Sequence, residues 1–214
     1  YSRTGGRIDM KEDIRFALHL TIHPFDGFWD MKYEKKGKMK VSVAIMFLVV
    51  LTLIFESKAT GFIFNPFSNR PLDIVFQLER VFLPIALFCV ANWSVTTLMD
   101  GEGKMKEIAM ATGYALLPLV LLRVPLAIIT NALTLNETAY VNAIANFALL
   151  WTGLLLFAGV MTVHQYSFLK TIATLILTVF AMAVIIFIII LFVSLSAEIV
   201  GFFYTIYKEL QYRL

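Results

Sequence analysis

Apolar residues in this chain gather into long runs separated by short polar breaks. A helix needs about 20 mostly apolar residues to cross the ~30 Å hydrocarbon layer of a bilayer. Five runs meet that test: 39–55, about 74–99, about 107–133, about 141–163 and 171–195. The first is short, but Lys40 can extend its charge to the headgroups along an apolar stem. The last has no charged residue at all. Of the breaks, "MDGEGKMKE" (99–107) is a tight charged turn, "TLNET" (134–138) is short, and "HQYSFLK" (164–170) is brief and basic. The longest connection, 56–73, contains "GFIFNPF", which is too short to span. The pattern predicts an all-α polytopic membrane protein. Five transmembrane helices occupy residues 39–195, with an N-terminal segment 1–38 and a C-terminal amphipathic helix 196–214.

Both flanks are patterned. In "HPFDGFWDMKYEKKGK", Phe25, Phe28, Trp29 and Tyr33 share one helical face with Lys32 and Lys36, while Asp26, Asp30 and Glu34 take another. Pro24 stands where a helix can begin. Tryptophan, tyrosine and lysine favour the headgroup zone. The segment is therefore expected to be an interfacial helix, a collar for the first span, with docking of a partner as the alternative. Upstream, "DMKEDIRFALHL" reads as a short mixed helix. His19 and His23 are spaced to offer two metal ligands on one face. Pro24 disfavours helical geometry at His23, and no third ligand stands at a telling distance, so no metal site is expected. At the other end, Ile199, Phe202, Phe203, Ile206, Tyr207, Leu210 and Leu214 form a continuous apolar stripe. That helix is expected to bend at Gly201 and lie on the outer surface or on a partner.

Composition strengthens the membrane reading. The chain is 59% hydrophobic and 15% charged, against ~45–50% and ~25% in soluble domains. Its net charge of +3 is modest, and no nucleic-acid partner is expected. The single cysteine, Cys89, allows no internal disulfide. The chain opens at Tyr1 without a methionine or signal-peptide pattern, so further residues are expected upstream. Lys and Arg are unevenly placed. Arg3, Arg7, Lys11, Arg15, Lys32, Lys35, Lys36, Lys38 and Lys40 precede the first span, and Lys104, Lys106 and Lys170 fall on the same side. Lys58, Arg70, Arg80, Lys208 and Arg213 fall on the opposite side. Basic loops stay cytoplasmic, which predicts a cytoplasmic N-terminus and an extracytoplasmic C-terminus. On that side Asn136-Glu137-Thr138 fits an N-glycosylation pattern, which matters only in a eukaryotic secretory pathway.

The third run raises the sharpest question. It carries Pro118, Pro125 and a lone Arg123. Pro118 removes one backbone donor and presses on the carbonyl of Tyr114, and Pro125 does the same to Leu121. Gly113 leaves room beside the first bend. Lipid cannot satisfy the freed carbonyl, so the kink is expected to face the bundle. A central arginine costs ~2.5–3.5 kcal/mol on insertion scales and calls for a partner. Glu56, Glu79 and Glu198 are the acids on that side, and Glu79 is the first choice. The pair is either a structural tie between helices or a site for an anionic group. Asn92, Ser94, Asn142, Asn146, Trp151 and Thr152 are the other polar residues of the spans. Interhelical hydrogen bonds of ~0.6 kcal/mol account for them.

"GYALLP", Gly113 to Pro118, resembles the Gly-Tyr-x-x-x-Pro pattern of the Yip family, integral membrane proteins of the Rab-associated type. The surrounding arrangement is also similar: a basic N-terminal segment, five spans, and a short charged turn before the motif. The resemblance covers about 25–195 and is strongest to bacterial members, with their short loops and "P-F-x-x-F-W" opening helix, which places the protein in a bacterial plasma membrane. It implies five transmembrane helices and a cytoplasmic N-terminus. Eukaryotic relatives associate with prenylated Rab GTPases and carry an Asp-Leu-Tyr-Gly-Pro motif in the N-terminal region. Here "HPFDGFWD" occupies that place, so Rab binding is not carried over.

No G-x-S-x-G, H-E-x-x-H, phosphate-binding glycine loop or paired intramembrane aspartate occurs. The expectation is a non-enzymatic scaffold or adaptor without cofactor, touching membrane lipids and a protein partner or a second copy. The alternative is a transport component, a small permease or accessory subunit, since transporters place broken helices and buried charge at substrate sites.

Overall fold

The computed structural model describes residues 10–65 and 71–213. Tyr1, Arg3, Arg7, Arg70, Leu214 and the side chains of Leu210 and Arg213 lie outside the description. Among the described residues the chain forms eight α-helices and no strand. They are α1 (Met10–Ile22), α2 (Pro24–Lys32), α3 (Met39–Ala59), α4 (Ile74–Leu98), α5 (Met105–Ala115), α6 (Leu117–Ile129), α7 (Thr138–His164) and α8 (Phe168–Arg213). Five stretches are long and apolar enough to cross a membrane: α3, α4, α5 with α6, α7 with the turn before it, and α8 as far as Glu209.

Local chemistry fixes the ends. Asp73 caps α4, its carboxylate accepting the Phe76 N–H at 3.0 Å, one of the donors a helix start leaves unpaired. Gln165, in the left-handed conformation at φ 58°, closes α7. Lys32 donates to the Val163 carbonyl at 2.7 Å and places a cation at the C-terminal end of α7, where the helix dipole favours it. The near end of the bundle is the end where α3 begins; the far end is where it finishes.

The N-terminal segment departs from the surface collar. Asp13 on α1 pairs with Lys38, just before α3, at 2.6 Å. From there α1 descends into the bundle. The Thr21 carbonyl accepts the Trp151 indole N–H at 3.2 Å, and Trp151 lies roughly 13 residues before the end of α7, ~20 Å along its axis. The chain turns at His23, and α2 climbs back until Lys32 reaches Val163. The two helices form a hairpin against α5 and α7. A Cβ on Gly27 would stand 2.6 Å from the Leu20 Cα, so glycine sets how closely the hairpin's arms approach.

The hairpin belongs to the core. Leu20, Phe28 and Met31 are buried in the same cluster as Ile45 of α3, Phe88 of α4, Ala111 of α5 and Leu155 of α7. The expected aromatic face is thus split. Phe28 is fully buried, whereas Phe25, Trp29 and Tyr33 are 51%, 49% and 39% exposed. Lys36 also leaves that face and bonds to Asp30 at 2.8 Å and Glu34 at 2.5 Å. Its hydrogen bond to Asp30, then that to Glu34, hold the Lys36 ammonium above its usual pKa.

The last span and the expected C-terminal helix are one element. α8 runs 46 residues without interruption through Gly201, ~69 Å by helical rise. Its start packs on α4, where Thr178 accepts from the Asn92 amide, and Thr171, Thr174 and Thr178 are all fully buried. Beyond Ile185 almost every residue is exposed. Asn142 and Asn146 also depart from expectation: they face outward on α7 and do not join helices. Thr152 and Ser94 bond back to carbonyls of their own helices.

Candidate functional site

The Gly-Tyr-x-x-x-Pro stretch begins inside the bundle opposite the first turn of α3. Gly113 faces α3 so closely that an added Cβ would collide with Ser42 Oγ and lie 2.9 Å from the Ser42 carbonyl. The Ser42 hydroxyl reaches back to the carbonyls of Ala109 (3.2 Å) and Met110 (3.3 Å) on α5. Tyr114 is almost fully buried, edge-on to Phe16 of α1 at 5.8 Å. Its hydroxyl accepts the Lys38 N–H at 3.2 Å, a helix-start donor that a buried end must satisfy. One residue therefore ties α1, α5 and the start of α3. Pro118 is buried and stands just past the break at Leu116, whose N–H turns back to Gly113 O at 3.3 Å. Pro125 and Pro84, by contrast, sit inside α6 and α4 without ending them. The kink faces protein.

Farther along, Arg123 Nη1 donates to Glu56 of α3 at 3.0 Å. Glu56 is the partner; Glu79 lies exposed on α4 and Glu198 exposed on the free part of α8. The physical reason is helix adjacency. α3 and α6 pack together along their length, and Glu56 lies near the end of α3 at the depth of Arg123. In α4 it is Arg80 that turns toward this region. Around the pair lie two adjoining cavities. A polar one of about 250 Å³ is lined by Glu56, Ser57, Thr60, Asn65, Gln77 and Arg80. An apolar one of about 270 Å³ is lined by Val49, Val81, Pro84, Ile85, Leu116 and Leu119. Leu53, Arg80 and Arg123 border both.

A second polar cluster closes the near end, and little in the residue pattern announces it. His164 ends α7 almost fully buried. Gly103 N–H donates to its Nδ1 at 3.3 Å, and its Nε2 lies 3.2 Å from Asn92 Oδ1. A ring nitrogen that accepts from an amide is unprotonated, so the proton sits on Nε2 and points at Asn92. The Asn92 amide donates onward to Thr178 of α8 at 3.1 Å. Tyr166 stacks on the histidine at 5.4 Å and donates to the Met99 carbonyl at 3.1 Å. Burial, then the charge of Asp100, push the Tyr166 phenol up. Here the glycines of "MDGEGK" have their use: a Cβ on Gly101 would stand 2.6 Å from His164 Nδ1 and from the Tyr166 hydroxyl. The cluster bonds α4, α7, α8 and one turn together.

His19 and His23 stack at 5.0 Å. Among the described residues no group of three or more His, Cys, Asp or Glu could hold a metal ion.

A family model, the Yip1 domain, matches residues 18–191. The chain belongs to the Yip1 family. The match starts inside α1, earlier than the resemblance read from the motif, and so takes in most of the buried hairpin. It ends within α8, a few residues into the exposed stretch beyond Ile185. No curated protein and no solved structure matches this Yip1-domain chain. With its Yip1 domain and five apolar helices, it is an integral membrane protein.

Proposed function

We propose that this Yip1-domain protein is a non-enzymatic scaffold, holding a protein partner or a second copy of itself through the α1–α2 hairpin, with its N-terminus in the cytoplasm and its C-terminus across the membrane. One observation carries the reading. The hairpin exposes Arg15, His19, His23 and Asp26, and its turn reaches the depth of Trp151. A charged side chain facing lipid at such depth costs ~2.5–3.5 kcal/mol on insertion scales. Beside this polar strip lie Ile14, Leu18, Ile22, Phe25 and Trp29, all exposed. A polypeptide segment with a polar edge and an apolar edge covers both; lipid tails cover only the second. The basic excess before the first span supports the orientation.

The test is photo-crosslinking in native membranes. A crosslinking residue at His23 or Asp26 should give a discrete higher-mass protein adduct, and one at Leu83 on the exposed side of α4 should give none. Adducts at neither hairpin position, or equal adducts at Leu83, would overturn the proposal.

A further inference from the structure

The two cavities around Arg123 differ in character, and together they have the form of an amphiphile. We propose that they bind one anionic lipid, its headgroup held by Arg123 and Arg80 and one chain lying in the apolar cavity. Four buried side-chain polar atoms lack a hydrogen-bond partner among the described residues, and three of them, Arg123 Nε, Gln77 Oε1 and Thr60 Oγ1, belong to residues lining the polar cavity. Buried polar groups are normally paired, so this clustering marks where a polar ligand sits. The orphaned set also describes the ligand. Arg123 Nε offers a donor to an anion, Gln77 Oε1 wants a donor, and Thr60 Oγ1 can serve either way. A phosphodiester whose headgroup carries hydroxyls meets all three.

Charge favours the same class. Arg123 and Arg80 bring two positive charges against the single carboxylate of Glu56 among the cavity-lining residues. Glu56 engages only Nη1 of Arg123, leaving the rest of the guanidinium to bond an anion. Depth favours an amphiphile over a free ion. Arg123 lies ~27 Å along α5 and α6 from Met105, close to the far boundary of a ~30 Å hydrocarbon layer. The apolar cavity runs back from it toward Val49 and Leu116, about 10 Å nearer the mid-plane. A headgroup at the first level with a chain at the second matches a lipid's own arrangement.

The test uses the purified full chain in mixed micelles. Thermal unfolding is followed with added dioleoylphosphatidylglycerol, dioleoylphosphatidylcholine or inorganic phosphate. The variants are Arg80→Gln, on an exposed position of α4, and Arg123→Gln with Glu56→Gln, which neutralises the pair without leaving a lone charge. Phosphatidylglycerol should raise the unfolding temperature of the wild type above the phosphatidylcholine value, and native mass spectrometry should show it retained. Arg80→Gln should lose that increment while matching the wild type in phosphatidylcholine, and the double variant should lose it too. If the double variant does not fold, Arg80→Gln decides alone. An increment unchanged in Arg80→Gln, an equal effect of phosphatidylcholine, or a full effect of inorganic phosphate would each overturn the proposal.

Discussion

Arg123 of α6 and Glu56 of α3 form an ion pair at 3.0 Å. Their side chains are 18% and 31% exposed, between the fully wet and the fully buried cases. Exposed pairs contribute up to ~1 kcal/mol, while breaking a buried pair costs about 3–5 kcal/mol because one charge is stranded. Either single reversal, Arg123→Glu or Glu56→Arg, should cost between those limits, read as a lower unfolding temperature in detergent. The double reversal should recover most of the loss. Arg123→Glu with Glu79→Arg should not, because Glu79 lies exposed on α4. Recovery through Glu79 would contradict the geometry. The charge itself was legible, since one arginine in an apolar run demands a partner. The choice of partner was not: three acids sit at the same depth in the sequence pattern, and helix adjacency alone separates them. Gly113 and Tyr114 were likewise legible as a motif, but their tasks, a close approach to Ser42 and a cap on α3, depend on which helix lies opposite.

At the scale of elements, the five spans follow from apolar run length, which one sequence records well. The hairpin does not follow. Aromatics at helical spacing describe a helix at a membrane surface and a helix against a bundle equally. What separates the cases is Gly27, which lets α2 close on α1, and Gly159 of α7, where a Cβ would meet the Phe28 ring at 3.1 Å. Small residues matter here through the partner they admit, and that partner lies far away in sequence. Phe28→Ala should therefore cost about 3–5 kcal/mol, the usual cost of emptying an aromatic core site. Trp29→Ala, at a half-exposed position, should stay nearer the ±0.5 kcal/mol of surface changes. A surface collar would reverse that order or flatten it, so thermal stabilities of the two variants in one detergent separate the arrangements.

The whole molecule is two unlike parts joined by one helix. The described residues up to about Ile185 form a bundle in which five spans and a hairpin share a core. The rest of α8 stands apart. At ~69 Å the helix is more than twice the hydrocarbon thickness, so its far third cannot lie upright in lipid alongside its start. The described side chains in that third are exposed, among them Phe202, Phe203 and Tyr207. Among the described residues nothing in the bundle leans on them, and bundle stability is set by packing that ends earlier. Truncation after Leu195 should thus leave the unfolding temperature in detergent within the scatter of surface substitutions, about ±0.5 kcal/mol. The same truncation made at Phe180 would remove part of the helix packed on α4 and lower it. If the shorter truncation also destabilises the purified monomer, the tail folds back on the bundle in solution. If monomer stability is unchanged while an oligomer or a copurifying protein is lost, the far part of α8 acts between molecules, in company with the hairpin.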